Sequence, residues 1–566
     1  MDQEHERQRV QRWQADRLTF DASRYPELVK IIEAVRGAAH FDDDVLGDIL
    51  RSYPRDGREV FSKEHLVRAY RALCASGRMP FEREVYRRLQ MKPMRTQSGV
   101  APVAVMTKPH PCPGRCIFCP TEASMPKSYL MGEPGAMRGI QNDFDPYRQT
   151  AGRIASLHRI GHSTDKIELI ILGGTWSSYT HDYQEWFVRR CFDAMNGCDS
   201  GSLEDAQRLN ETAEHRCVGL VIETRPDWVT VEETRRLRWL GVTKVQLGAQ
   251  SMDDRILETN LRDHTVQDTR EAVRMLRLAG FKLHLHWMPN LLGTTPEADV
   301  VDFRRLWDDP AIRPDELKIY PTALLRNSGL YDYWQRGDYH PYDKKTVVEL
   351  IIACKQIVPR YCRLSRIVRD IPGNQIVAGN RESNLRQPVQ RTMKERGLRC
   401  QCIRCREVRG QEVPGDLRLE DLAYDADVAE EHFVSFVTED DRLAGFLRLS
   451  LPHNRLASAA SFPELRGCAM IREVHIYGPA LEIGSESEGE AQHRGLGRGL
   501  IEQAERIARA HGFERLAVIS AIGTRDYYRQ RGFEPDGLYM VKVPRPVVDP
   551  QGQVSDLTRP WLAPDP

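Results

Sequence analysis

Short apolar runs rich in β-branched residues recur across the middle of the chain, and stretches of helical periodicity separate them. The runs span residues 102–106, 167–172, 218–222, 245–247, 283–288 and 317–320. Strands that alternate with helices in this way favour a parallel sheet with crossover helices. We therefore predict an α/β fold whose sheet curls into a full or partial barrel, with its active site beyond the carboxyl ends of the strands.

Length and composition limit the remaining possibilities. A chain of 566 residues exceeds one ordinary core, so we expect two large domains with connecting modules. The mean hydropathy is −0.52, and the sequence has no apolar run long enough to span a bilayer. The first residues are highly charged, which excludes the basic-then-apolar pattern of a secretory signal. We expect a cytoplasmic protein without a membrane partner.

Charge is unevenly distributed although the formal net charge is zero. Residues 51–95 contain 12 Lys and Arg against 5 Asp and Glu, and residues 355–409 contain 14 against 4. Residues 411–441 reverse the balance, with 11 acidic residues and one basic residue. This reversal predicts a domain boundary near Gly410. The basic segments indicate a nucleic-acid partner, although solvated helix faces would give the same pattern.

Beyond this boundary the pattern changes to a smaller α+β arrangement. It predicts strands at 446–451, 472–477 and 516–520, and helices at 496–511 and 524–531. At the other end, residues 1–90 have helical periodicity, whereas the tail is rich in Pro and Asp. We therefore divide the chain into a helical module (1–90), the α/β domain (91–375), a linker (376–410), the α+β domain (411–545) and an extended tail (546–566).

A first cysteine triplet follows the first strand-like run. Cys112, Cys116 and Cys119 have the spacing C-x-x-x-C-x-x-C. A [4Fe-4S] cluster usually takes four cysteine ligands, so three would leave one iron open for a substrate or cofactor. A zinc site and three core thiols are the alternatives, but a closed zinc site needs four ligands.

Two glycine-containing segments indicate ligand sites. Gly173, Gly174 and Thr175 follow the second strand-like run, where glycines let the backbone approach a small ligand, although a simple turn would look the same. Gln492, Gly495, Leu496 and Gly497 open a predicted helix, whose free N–H groups suit a pyrophosphate. An ordinary helix cap is the alternative there. A tyrosine pair, Tyr527 and Tyr528, lies on the following predicted helix.

A second triplet, Cys400, Cys402 and Cys405, lies at the inferred domain junction. Its tight spacing indicates a structural zinc ion, with Cys362, a histidine or water as the fourth ligand. A second iron-sulfur cluster and unliganded thiols remain alternatives. Six arginines before or near this triplet could grip phosphates of an RNA: Arg363, Arg366, Arg369, Arg381, Arg386 and Arg391.

The first triplet, with Phe118 before its last cysteine, resembles the radical S-adenosylmethionine (SAM) superfamily. The order of strand, glycine loop and tyrosine pair in residues 411–545 resembles the GNAT acetyltransferases. Together they resemble the catalytic subunits of Elongator, in the stand-alone bacterial and archaeal form. Further segments that resemble this family are 95–100, 129–134, 222–227, 317–322 and 369–372. The short gap between the first two cysteines fits the prokaryotic branch.

The resemblance implies a radical SAM partial TIM-type barrel followed by a GNAT domain, with the helical module 1–90 binding tRNA. It implies that the triplet at Cys112 holds a [4Fe-4S] cluster, that the segment from Gly173 to Thr175 meets SAM, and that the loop from Gln492 to Gly497 holds acetyl-CoA. It also implies that Tyr527 or Tyr528 lies near the thioester. Lys318 is a candidate for orienting the substrate, with an ordinary salt bridge as the alternative.

The activity implied by the resemblance is SAM-dependent radical transfer of the acetyl methyl carbon to C5 of the wobble uridine, in a tRNA anticodon stem-loop. Hydrolysis of the thioester would leave 5-carboxymethyluridine, and the electron donor would be a flavodoxin or ferredoxin. Two other functions remain open: a protein lysine acetyltransferase with a structural iron-sulfur domain, and a tRNA-binding scaffold that senses acetyl-CoA.

Overall fold

The structure is a computed structural model that describes residues 21, 25–55, 59–91, 96, 99–382, 384–408, 416–455, 461–477 and 495–544. The chain divides into two compact units. The first comprises residues 1–96 and 152–164, and the second comprises residues 97–151 and 165–566. Gln492, the proposed boundary at Gly410 and the tail 546–566 lie outside the described residues.

The first unit is helical in its described part. Its helices are α1 (Glu27–Gly37), α2 (Asp43–Ser52), α3 (Lys63–Ala75) and α4 (Arg83–Leu89). Leu28, Ile31 and Val35 recur on one face of α1 and are buried in a common core with residues of the other helices. Asp42 caps α2 by accepting hydrogen bonds from the backbone N–H groups of Asp44 and Val45. The helix α6 (Pro146–Arg159) is divided between the two units at residue 152.

The second unit begins with a parallel sheet of seven strands, each paired with the next in sequence. The strands are β1 (Ala101–Met106), β2 (Lys166–Leu172), β3 (Arg216–Thr224), β4 (Lys244–Gln250), β5 (Lys282–Trp287), β6 (Glu316–Ile319) and β7 (Arg363–Arg366). Because the order never reverses, the sheet curls in one direction and forms a half-barrel. The predicted parallel α/β sheet is confirmed.

Helices connect or flank these strands. They are α5 (Pro134–Gln141), α7 (His181–Asn196), α8 (Leu203–Asn210), α9 (Val231–Trp239), α10 (Asp254–Thr259), α11 (Val266–Leu278), α12 (Pro296–Asp308), α13 (Leu330–Gln335), α14 (Lys344–Ile357), α15 (Arg386–Glu395) and α16 (Ile403–Arg406). Several begin at a side-chain cap; in α11, Thr265 and Asp268 form a reciprocal capping box.

A second, mixed sheet follows, in the order β13-β14-β12-β11-β10-β9-β8. Its elements are β8 (Arg418–Asp425), β9 (Ala429–Val437), β10 (Leu443–Pro452), β11 (Cys468–Ile476), α17 (Leu496–Ala510), β12 (Arg515–Val518), α18 (Arg525–Arg529), β13 (Glu534–Asp536) and β14 (Tyr539–Lys542). β11 pairs with β12 in parallel only from Cys468 to Ile471. Beyond Ile471, β11 has no pairing with β12, so among the described residues its backbone groups on that side have no strand partner.

The two sheets pack together within the second unit through buried charges. Arg472 of β11 donates to Asp315, just before β6, at 2.5 Å. Lys282, the first residue of β5, forms an ion pair with Glu473 of β11. Both contacts lie at the amino ends of the parallel strands, so the second sheet covers the end of the half-barrel opposite its carboxyl edge. Within the described ranges, no helix has both the length and the apolarity that a membrane span requires.

Candidate functional site at the carboxyl edge of the half-barrel

The first cysteine triplet lies in the segment between β1 and α5, at the carboxyl edge of the sheet. Cys116 is buried, and Cys112 and Cys119 are half-buried. The three sulfur atoms do not all lie within 4.8 Å of one another, unlike those of the second triplet. Four thiolates on one zinc ion would be about 3.8 Å apart, from a Zn–S distance of about 2.3 Å. Three thiolate donors suit a [4Fe-4S] cluster with one iron left open for another ligand.

Hydrogen-bond donors and cations surround these thiols. Arg262 donates to Cys116 Sγ at 3.4 Å, and the backbone N–H of Gly114 donates to Cys112 Sγ at 3.4 Å. Burial raises the pKa of the Cys119 thiol to about 12, and Lys127 is among the cations that oppose this. Donors of this kind stabilise the negative charge of ligating thiolates and tune the potential of a bound cluster.

Gly173 and Gly174 follow β2 directly and have φ angles of 150° and 87°. A Cβ on Gly173 would lie 1.8 Å from Thr107 Oγ1, and one on Gly174 would lie 3.2 Å from the Lys127 carbonyl oxygen. Only glycine fits this crossing of two loops. Thr175 comes next, with its hydroxyl 3.7 Å from Cys112 Sγ. The structure therefore brings the glycine segment and the first triplet together.

Lys318 projects from β6 among polar side chains of the half-barrel. Its ammonium donates to the Gln246 side-chain oxygen, and His286 Nε2 lies 2.9 Å from that same oxygen. Burial lowers the pKa of Lys318 to about 8, although the Glu223 carboxylate acts in the opposite direction. Tyr129 donates to Glu223 at 2.6 Å. The hydrogen-bond partner of Lys318 is thus a neutral amide, not the carboxylate that the salt-bridge alternative assumes.

Sequence analysis missed several residues near the triplet. Arg225 makes a two-bond ion pair with Asp227 at 2.9 Å, and a Cβ on Gly114 would lie 2.1 Å from its guanidinium. The sequence identifies Arg225 only as part of the segment 222–227. Asp227, two residues later, is the local feature that could have predicted its ion pair. Arg262 and Gln246 are isolated polar residues, and nothing in their local sequence predicts their position.

The second site lies at the start of α17. Gly495 precedes the helix with φ of 71°, and the N–H groups of the first turn have no intrahelical acceptors. A Cβ on Gly497 would lie 2.6 Å from the Tyr527 hydroxyl oxygen. The structure therefore brings the Tyr527 hydroxyl to the first turn of α17, beside the backbone of Gly497. This arrangement can hold an anion with a phenol next to it.

The two tyrosines differ in their surroundings. Tyr528 is buried and packs edge-on against Phe533, with ring centroids 5.6 Å apart. Tyr527 is half-buried, and the Arg531 guanidinium lies 3.4 Å from its ring centroid. Burial raises the pKa of both phenols, so both are neutral at physiological pH. Only Tyr527 combines a neutral hydroxyl with contact to the glycine loop.

The sulfur atoms of Cys400, Cys402 and Cys405 all lie within 4.8 Å of one another, close enough to share one ion. Lys355, which is 1% exposed, donates to Cys405 Sγ at 3.4 Å. Hydrogen bonds from the other two thiols, together with the charge of Lys355, lower the pKa of Cys405. The donor set suits zinc, whose net charge with three thiolates would be balanced by Lys355. Cys362 is not in this set among the described residues.

The six arginines expected to grip phosphates have different environments. Arg363 pairs with Glu407 at 2.7 Å, Arg369 pairs with Glu133 at 2.8 Å, and Arg386 donates to the Leu364 carbonyl. The guanidinium groups of these three arginines therefore donate hydrogen bonds within the protein, to two carboxylates and a backbone carbonyl. The exposed members are Arg366, Arg381 and Arg391.

Family models match most of the chain. The model of the radical SAM superfamily matches residues 109–305, that of the radical SAM C-terminal domain matches residues 314–395, and that of the GNAT acetyltransferase family matches residues 402–533.

Curated relatives cover a similar length. The tRNA uridine(34) acetyltransferase of Dehalococcoides mccartyi is 45% identical over 79% of this chain and 98% of its own length. The Homo sapiens Elongator complex protein 3 is 37% identical over 81% of this chain and 86% of its own length. A solved structure, the archaeal Methanocaldococcus infernus Elp3 with an N-terminal deletion, superposes with a TM-score of 0.69 and 39% identity. It covers 78% of this chain and 99% of that one.

Proposed function

The chain belongs to the family of tRNA uridine(34) acetyltransferases and Elongator complex protein 3, and from this premise we propose that it modifies the wobble uridine of tRNA anticodons. The substrate carbon comes from acetyl-CoA, the reaction depends on SAM, and the product is 5-carboxymethyluridine. The electron donor is a small redox protein such as a flavodoxin or ferredoxin, and the enzyme works in the cytoplasm.

The residues at the carboxyl edge of the half-barrel fit the expected cofactors. Cys112, Cys116 and Cys119 would hold three irons of a [4Fe-4S] cluster, and the backbone from Gly173 to Thr175 would cradle SAM beside the fourth. When bound, these groups supply a carbon-centred radical that can abstract hydrogen from a methyl group. The protein contributes the N–H and guanidinium donors to the thiolates, and it would position the reacting groups.

The second sheet and α17 have features that would bind acetyl-CoA. The first turn of α17, from Gly495 to Gly497, would bind the pyrophosphate through its free N–H groups. Beyond Ile471, where β11 has no pairing with β12 among the described residues, its backbone groups can bond the amides of the extended pantetheine chain, as an added strand would. Tyr527 would then lie near the thioester, where its neutral hydroxyl can donate a hydrogen bond.

One observation carries the proposal: polar side chains line the half-barrel between the two sites. These side chains form a line from β6 to β11 and are Lys318, His286, His284, Glu316, Lys282 and Glu473. Consecutive contacts include His284 to Glu316 at 3.3 Å and Glu316 to Lys282 at 2.7 Å, and Lys282 pairs with Glu473 of β11. A simple acetyltransferase has no use for a line of charged and polar side chains through the interior of a half-barrel whose carboxyl edge carries three cysteines. We therefore assign this interior as the place where the acetyl group and the uridine meet.

Lys318 would orient the uridine there. Its partner Gln246 is neutral, so its ammonium remains able to donate to a second acceptor such as a base carbonyl. The exposed Arg366, Arg381 and Arg391, together with the basic segment 51–95, would bind tRNA phosphates outside. Such contacts position the anticodon loop and weaken as salt increases.

The test is an anaerobic incubation of reconstituted protein with SAM, reductant, acetyl-CoA and tRNA, followed by nucleoside mass spectrometry. We expect 5-carboxymethyluridine at position 34, no product with Cys116→Ala, and normal product with Cys198→Ala, which removes an exposed thiol outside both triplets. A product that persists without SAM, or acetylated protein lysines in place of modified tRNA, would overturn the proposal.

A further inference from the structure

We propose that Glu430, His432 and His511 bind a divalent transition metal of the zinc type, at a site separate from both cysteine triplets. The site lies where the end of α17 meets β9. The proposal is independent of the modification reaction, because none of these residues belongs to the residues assigned above to SAM, acetyl-CoA or tRNA.

The fold brings the three ligands together from distant parts of the sequence. Glu430 and His432 are two residues apart on β9, so both side chains lie on the same face of the sheet. Glu431 between them points the opposite way and pairs with Arg472 at 2.8 Å. His511 is the C-cap residue that directly follows α17. One carboxylate oxygen and one nitrogen from each imidazole lie within 4.8 Å of one another.

Both imidazoles are already oriented by their other nitrogen. His432 Nδ1 lies 2.8 Å from an Asp421 carboxylate oxygen, and His511 Nδ1 lies 2.8 Å from the Ile507 carbonyl oxygen. These oxygens only accept, so each Nδ1 carries the hydrogen. The Nε2 atom of each neutral ring then has a free lone pair. A histidine held by a carboxylate or a backbone carbonyl in this way is the usual arrangement of a metal ligand.

The His432 Nε2 atom is buried without a hydrogen-bond partner among the described residues. The residue is 5% exposed, and the nearest Glu430 oxygen lies 3.7 Å from Nε2, too far for a hydrogen bond. A buried polar atom without a partner is unfavourable and calls for an explanation. A metal ion between this nitrogen, His511 and Glu430 would satisfy it after small side-chain movements.

The donor set specifies the class of metal. Two imidazoles and one carboxylate are typical zinc ligands, with a water molecule in the fourth position. The set lacks the several oxygens that calcium or magnesium prefers. His511 directly follows α17, and Glu430 and His432 lie on β9, so the ion would fix the end of α17 against the sheet. The first turn of the same helix is the proposed pyrophosphate site. The competing explanation is a protonated His432 between Asp421 and Glu430, which needs no metal.

The test uses full-length, anaerobically reconstituted protein, so that iron occupies the first triplet. Zinc per chain is measured by elemental analysis after dialysis against micromolar Zn²⁺, and then Co²⁺ replaces the zinc for absorption spectra. We expect His511→Ala to bind one zinc fewer than wild type. The sulfur-to-cobalt charge-transfer band of the second cysteine triplet should remain unchanged, because this site has no sulfur ligand. His511 is exposed, so the variant should fold.

His453→Ala is the matched control, because His453 is a histidine of the same domain that pairs with Asp425 at 3.1 Å outside this site. It should keep the wild-type zinc content. Glu430→Gln, which keeps the side-chain shape, should weaken zinc binding at least tenfold. Equal zinc contents in wild type, His511→Ala and His453→Ala would overturn the proposal and leave the protonated ion pair as the explanation.

Discussion

Arg472 of β11 and Asp315, the residue before β6, form an ion pair at 2.5 Å in which both side chains are fully buried. Glu431 accepts from the same guanidinium at 2.8 Å. Burial alone would raise the pKa of Asp315, but the charges of Arg472 and Arg448 outweigh it and lower the pKa to about 2. The half-barrel and the second sheet are therefore joined by matched charges, so their relative position is specified and not merely covered by apolar contact.

Arg472→Ala should strongly destabilise the protein. It removes the nearest cation of Asp315 and Glu431 and leaves them with the more distant Arg448 and Arg277, at 3.4 and 3.9 Å. Breaking a buried ion pair by removing one partner costs about 3–5 kcal/mol. The measurement is the midpoint of thermal unfolding. Arg366→Ala is the control, because its ion pair with Asp370 is exposed and should contribute at most about 1 kcal/mol. Equal midpoints for the two variants would show that the buried pair does not hold the sheets together.

The sequence predicts strands β1 to β6 and, in the second sheet, β10, β11 and β12, but not β7, β8, β9, β13 or β14. The predicted runs overlap β1 to β6 because strands of a parallel sheet are buried on both faces and are therefore apolar. β7 reads Arg-Leu-Ser-Arg, and the half-buried Arg363 donates hydrogen bonds to Glu407 and Tyr477. β8 is an edge strand with mostly exposed side chains. Neither pairing is visible in a local pattern.

In the candidate sites, too, local sequence patterns predict some residues and not others. Tight cysteine spacing and glycine pairs are local signals, so the sequence can single out the two triplets and the segment at Gly173 as candidate sites. Tyr527 and Tyr528 are equivalent in sequence, and only packing separates the residue beside Gly497 from the one against Phe533. Arg369 was expected to bind RNA phosphates, but in the structure it is half-buried and pairs with Glu133, more than 200 residues earlier in the chain.

Gly173→Ala should impair SAM binding while leaving the cluster in place. The new Cβ would meet Thr107 Oγ1 in a backbone conformation that alanine rarely adopts, at a cost of about 1–3 kcal/mol. We expect the SAM affinity of the reconstituted protein to fall about tenfold or more by equilibrium dialysis, with unchanged iron content. Gly152→Ala, on α6 with open space around its Cβ position, should bind SAM normally. Unchanged affinity in Gly173→Ala would remove this segment from the SAM site.

Lys318→Met should abolish modification without lowering stability at neutral pH. The folded pKa of Lys318, about 8, lies below the ordinary value of 10.5, so the unfolded chain binds more protons between these values. Stability therefore rises with pH over that window, and below pH 8 the buried charge is unfavourable. We expect the variant to unfold at or above the wild-type temperature at pH 7, with the difference shrinking as the pH increases towards 10.

Lys344→Met is the control for this series, because Lys344 is exposed and pairs with Glu382 at the surface. Its unfolding temperature relative to wild type should not change between pH 7 and pH 10, and modification should continue. If Lys318→Met were less stable than wild type at pH 7 and still formed product, Lys318 would be a structural residue and not one that orients the uridine.

Cys402→Ala should remove one zinc ion per chain and lower the unfolding temperature. Without the ion, nothing would link the remaining two thiols, and the charge of Lys355 would no longer be matched by a zinc-thiolate group. Elemental analysis and thermal unfolding measure the two effects. Cys198→Ala should change neither. The zinc lost here is distinct from the one lost in His511→Ala, so the sulfur-to-cobalt band should disappear in Cys402→Ala alone. Retention of that band would exclude this triplet as the thiolate site.

Tyr527→Phe and Tyr528→Phe should separate the roles of the two tyrosines. Tyr527 presents its hydroxyl to the first turn of α17, so removing the hydroxyl deletes a donor beside the proposed thioester. A hydrogen bond of about 1.4 kcal/mol corresponds to a roughly tenfold loss in the rate of tRNA-dependent acetyl-CoA turnover. Tyr528→Phe keeps the ring that packs against Phe533, so its rate should stay within about twofold of wild type. The measurement is CoA release with and without tRNA. The reverse order of rates would contradict this assignment and mean that the buried phenol of Tyr528 acts on the thioester.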